Sequence, residues 1–137
     1  MKTDIHQKVL SLARQVRRWT EEQDDMRRWP TGDLNGFCAI SSCRLWRELR
    51  DYGIMSEIHM SALPGGFHLF VVVDDHVVDV TATQFGPFCD KPIVFVSKES
   101  AEAFNFYKTC CVFETADDVR THQLKTGWTH EQVAYDY

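Results

Sequence analysis

The chain has 137 residues, 44% hydrophobic and 26% charged with seven Gly and four Pro, a composition that argues against disordered and fibrous classes and predicts one globular domain over residues 1–137. A net charge of −5 argues against a general attraction to nucleic acid. Five cysteines, an odd number with no CxxC pair, argue against a disulfide framework and a structural zinc site, and point to a reducing cytoplasm.

The first ten residues, MKTDIHQKVL, lack the apolar core of a signal peptide, so no export by the ordinary route and no membrane span are expected. Ile5, Val9, Leu12, Ala13 and Val16 recur at helical spacing, predicting an amphipathic helix over 4–24 with Thr3 or Asp4 as its cap. Arg14, Arg17, Arg18, Arg27 and Arg28 form a local basic region interleaved with Glu21, Glu22, Asp24 and Asp25. It reads either as a solvated helix face laced with ion pairs or as a patch for phosphate or a partner. Trp29-Pro30 then stops the helix, and Thr31 to Gly36 supply turn residues.

A second helix is predicted from Cys38 to about Tyr52, its apolar side formed by Ile40, Leu45, Trp46 and Leu49, with Gly53 at the left-handed C-terminal cap. Strand-like runs follow at 56–63, 67–73 and 77–83, separated by Pro64-Gly65-Gly66 and by Asp74-Asp75, and suggest an antiparallel meander. After the loop FGPFCDKP come a strand at 93–96, a helix capped by Ser97 and running to about Phe106, a short strand at 110–114 and a helix over 117–125. The order predicts an α+β fold.

Cys38 follows a glycine turn and opens a helix, where unpaired N–H groups and the helix dipole favour a thiolate and also face a developing oxyanion. A lone cysteine there is equally a small buried side chain. The hairpin FHLFVVVDDHVVDVT adds two more groups. A two-residue turn at Asp74-Asp75 sets Val73 opposite His76, His68 opposite Thr81 and Asp79 opposite Phe70. His68 and Asp79 are then diagonal neighbours on one face, while His76 falls on the other with Leu69, Val71, Val78 and Val80. Both faces are apolar around them, which implies a sheet covered on both sides and an ionisable pair that is costly unless its members meet. Each alone has an ordinary reading, a satisfied core histidine and a turn or capping aspartate. With Cys38 they make a nucleophile, a base and an orienting carboxylate.

GFCAISSCRLWRELRDYGIMSEI resembles the nucleophile helix of the transglutaminase-like branch of the papain-like cysteine superfamily, with Cys38, Leu49, Arg50, Gly53 and Ile54 in matching places. HLFVVVDDHVVDVTATQF is similar to that family's histidine strand and the strand ending in Asp-x-Thr, matched by His68, Asp79 and Thr81. The likeness covers about residues 34–86, and the family's aromatic residues beside the histidine and aspartate are replaced here by Leu69 or Phe70 and by Val77-Val78.

The resemblance implies a papain-like domain with a nucleophile helix on a mostly antiparallel sheet, and a thiol-dependent protease, deamidase or transglutaminase acting on protein or peptide amides. Cys38 attacks, His68 moves the proton and Asp79 holds the imidazole. Candidate oxyanion donors are the Cys38 N–H and the side chains of Asn35 and Gln84, each of which also suits a turn or loop hydrogen bond. No cofactor or metal is expected, since Cys38, Cys43, His68 and Asp79 lack recognisable ligand spacing. The competing reading is a noncatalytic interaction module on the same fold. Small size and the lack of an export signal suit a cytoplasmic modifier, a delivered toxin or effector, or a phage-encoded protein.

Overall fold

The computed structural model describes residues 1–26, 36–88 and 90–126. Helix α1 spans Thr3–Asp25 and α2 Cys38–Asp51. Strands β1 (Glu57–Leu63), β2 (Gly66–Val73) and β3 (His76–Asp79) follow, then a 3₁₀ segment Ala82–Phe88. The chain continues through β4 (Val94–Ser97), the short α3 (Lys98–Ala101), a 3₁₀ turn Asn105–Tyr107, β5 (Cys111–Phe113) and α4 (Ala116–Lys125). All four strand pairings are antiparallel, in the order β4-β3-β2-β1-β5. The architecture is α+β, with the predicted meander at its centre.

The hairpin register is the one expected from a two-residue turn: Val73 pairs with His76, Val72 with Val77 and Val71 with Val78. Asp74 and Asp75 both take positive φ, 46° and 58°, as the turn that matches strand twist requires. Helix α2 ends as predicted at Gly53, φ +77°. The Gly53 N–H donates to Arg50 O and the Ile54 N–H to Leu49 O, at 2.8 and 2.9 Å, a Schellman closure of the last carbonyls.

Alternation along the strands builds two layers of core. On one face, Ile58, Leu69, Val71 and Val78 pack with Leu12 and Val16 of α1, Leu45 and Leu49 of α2, and Val119 of α4. On the other, Phe70, Val72 and Val77 meet Ala101 and Tyr107. The sheet is therefore covered on both sides, so the polar residues on the second face are buried and must find partners.

Three element boundaries depart from expectation. Helix α1 starts at Thr3 with Lys2 as its N-cap and no side-chain cap bond, so neither Thr3 nor Asp4 caps it. β3 ends at Asp79 rather than Thr83, because the Asp79 carboxylate takes the Thr81 N–H at 2.9 Å and the chain turns out of the ladder. His68 and Thr81 are consequently not paired as strand partners. The helix capped by Ser97, whose Oγ accepts from the Ser100 N–H, stops at Ala101 instead of Phe106, because Tyr107 is drawn down onto Phe70 and Asp79. The predicted turn residues 27–35, Arg27 and Arg28 among them, and the tail 127–137 lie outside the described residues.

Candidate active site

The site forms where β3 leaves the sheet. β1 continues beside β2 as far as Leu63 and Gly66, while β3 accompanies β2 only from Val71 to Val73. His68 therefore sits on a stretch of β2 that β3 no longer accompanies. Gly36, at φ +88°, turns the chain into Phe37, the N-cap residue of α2, and Cys38 is its first helical residue with no side-chain cap before it.

Two contacts hold that helix start in place. Thr20 Oγ1 of α1 donates to Val16 O at 2.8 Å, so in its 2.8 Å contact with Ser41 it is the Ser41 hydroxyl that donates. Phe37 and Ile40 pack with Trp19 of the same helix.

His68 Nε2 lies 2.7 Å from Asp79 Oδ2, and both residues are essentially inaccessible, at 1% and 2% exposure. A carboxylate only accepts, so Nε2 carries the proton. Cys38 lies close enough to the His68 ring for its thiol to raise the ring's pKa. Cys38 itself is 6% exposed.

The Asp79 carboxylate is saturated with donors. Besides His68, Tyr107 Oη donates to Oδ2 at 2.7 Å, and the Thr81 N–H and hydroxyl donate to Oδ1 at 2.9 and 3.3 Å. Gln84, on the 3₁₀ segment, gives its amide hydrogens to Thr81 O at 3.0 Å and Thr81 Oγ1 at 3.2 Å. Its nitrogen approaches His68 Nδ1 to 3.3 Å. Phe85 meets His68 edge-on with centroids 4.7 Å apart and stacks on Phe106 at 4.2 Å, closing the ring in an aromatic wall.

Burial by itself would push the His68 pKa down. The Asp79 charge, the Asp79 hydrogen bond and the Cys38 thiol outweigh it and raise the value to about 9. Burial likewise works to raise the Asp79 pKa, and the charge and hydrogen bond of His68 hold it low, helped by Thr81 and Tyr107. The two shifts describe one buried imidazolium–carboxylate pair.

The structure thus brings Cys38, His68, Asp79 and Gln84 together; Asn35 lies outside the described residues. His76 falls on the opposite face, its ring 5.7 Å from that of Phe95. Cys43 is fully buried, and burial pushes its thiol up to about 12 against the opposing effect of Arg47, the condition of an inert core thiol. Among the described residues no group of three or more His, Cys, Asp or Glu side chains is placed to hold a metal, and no helix is long and apolar enough to cross a membrane.

Tyr107 and Phe85 were not foreseen as site residues. The signal for Tyr107 is only generic: a tyrosine in the aromatic run Phe104-Asn105-Phe106-Tyr107 must find an acceptor for its hydroxyl if buried. No family model, curated protein or solved structure matches the chain.

Proposed function

We propose that the protein is a cysteine-dependent amide hydrolase or acyltransferase with a papain-like, transglutaminase-like arrangement, acting on protein or peptide substrates. The observation that carries this reading is the continuous chain Asp79–His68–Cys38, with the sulfur at a helix start and its ring partner pinned from behind at 2.7 Å.

The attacking species is the Cys38 thiolate opposite the His68 imidazolium. Sulfur adds to the carbonyl carbon of a peptide, isopeptide or glutamine amide. The C–N bond breaks as His68 gives its proton to the leaving nitrogen. Water, deprotonated by His68, then attacks the thioester carbon, releasing the acid and restoring the thiol; an amine in place of water gives transfer. The Cys38 N–H is the first candidate oxyanion donor, and Gln84, beside Nδ1, is the second once it releases one of its two bonds to Thr81. Hydrolysis, as a protease or deamidase, is favoured over transfer because water needs no second binding site.

The test is mass spectrometry of cellular proteins incubated with the wild type and with Cys38→Ala. Cleavage, deamidation or amine crosslinks present only with the wild type are expected, and modification by Cys38→Ala would overturn the assignment.

A second reading, a noncatalytic interaction module, draws on the low exposure of Cys38 and His68, 6% and 1%. Iodoacetamide labelling followed site by site separates the two. The enzyme reading expects Cys38 to be labelled more slowly in His68→Ala than in the wild type, whereas the interaction module expects the same rate in both.

A further inference from the structure

The basic region of α1 faces a cavity of about 660 Å³, whose cationic lining is Arg14, Arg17 and Arg18 from α1 and Lys91 from the segment before β4. This volume is in the small-molecule range of about 300–1,000 Å³. Arg17 forms its fixed floor: Nη1 donates to Val80 O at 2.9 Å, Thr83 Oγ1 at 3.0 Å and Pro92 O at 3.0 Å, tying the two walls together. The acidic residue on the wall, Glu21, is bound to Arg17 Nε at 3.0 Å.

Arg14 and Arg18 are exposed, one helical turn apart, with no hydrogen-bond or ion-pair partner among the described residues. Like charges at that spacing repel, and the chain as a whole is acidic at −5. A local excess of guanidinium groups around a braced cavity is therefore the reverse of the overall charge. Guanidinium forks match phosphoryl oxygens in geometry and charge.

We propose that this cavity binds the oligophosphate group of a small phosphorylated molecule, held by Arg14, Arg18 and Lys91 above the Arg17 floor. The inference stands apart from the hydrolase reading, because these cations are not part of the Cys38 site.

The experiment is calorimetric titration of the full chain at low salt with inorganic tripolyphosphate, with ATP and with a phosphoserine peptide. Saturable binding of tripolyphosphate and ATP is expected, weakening as NaCl is raised. The double charge reversal Arg14→Glu/Arg18→Glu, at exposed positions, should lower affinity at least about tenfold, since each charged hydrogen bond contributes roughly that factor; circular dichroism checks the fold. Cys38→Ala should bind as the wild type does. The proposal is overturned by absence of saturable binding, by equal binding to the folded double variant, or by binding of the phosphoserine peptide alone.

Discussion

Tyr107 donates its hydroxyl to the same Asp79 oxygen that holds His68, so one buried atom joins the covering segment to the proposed catalytic pair. Tyr107→Phe keeps the ring against Phe70 and Phe106 and deletes only that donor. The expected loss is about 1.5–3 kcal/mol in urea unfolding, the range for a hydrogen bond to a charged group. Tyr107→Leu should lose more, because the aromatic packing goes too. Asp79→Asn asks a different question at the same place. The amide preserves size but removes the charge that raises the His68 pKa. The variant should stay folded by circular dichroism while site-resolved alkylation of Cys38 slows well below the wild-type rate. Unchanged alkylation would mean that the carboxylate contributes packing and nothing to the thiol's reactivity.

At the scale of elements, α1 braces the site from outside. Arg17 reaches the backbone just after β3 and just before β4, and Thr20 anchors the first turn of α2 through Ser41. Arg17→Met retains the aliphatic stem and strands up to three acceptors. A loss of about 2–4 kcal/mol in thermal or chemical unfolding follows if one or two of them stay dry. These long-range bonds also mark where the sequence stops being legible. Hydrophobic period and turn chemistry are local, so α2, β1, β2 and the Asp74-Asp75 hairpin were readable almost to the residue, and with them the shared face of His68 and Asp79. The early end of β3 was not, because it depends on the Asp79 side chain competing with the ladder for the Thr81 N–H. Nor was the early end of α3, where burial of Tyr107 wins over local helix preference. The meeting of Cys38 with His68 was legible only as a hypothesis, since the angle at which α2 crosses the sheet is set by packing between distant segments.

For the whole molecule, the His68–Asp79 pair couples folding to pH, and the two partners act at opposite ends of the scale. His68 binds its proton more tightly folded than unfolded, its pKa rising from 6.5 to about 9. Its contribution is complete below about pH 6.5, declines as pH rises, and is gone above about pH 9. Asp79 is shifted the other way, below its ordinary 3.8, so its contribution is complete above that value and lost as pH falls through the lower folded value. Stability from the pair is therefore greatest between about pH 4 and 6.5, on the acidic side of neutrality. Urea midpoints measured at intervals from pH 3 to 10 should show that maximum in the wild type, with a fall between about pH 6.5 and 9. In His68→Gln, which has no titrating ring, the alkaline fall should flatten. A midpoint that does not fall between about pH 6.5 and 9 in the wild type would show that the folded ring is not held protonated above its ordinary pKa. The proposed chemistry would then have to begin from a neutral thiol–imidazole pair, with the proton transferred during attack rather than before it.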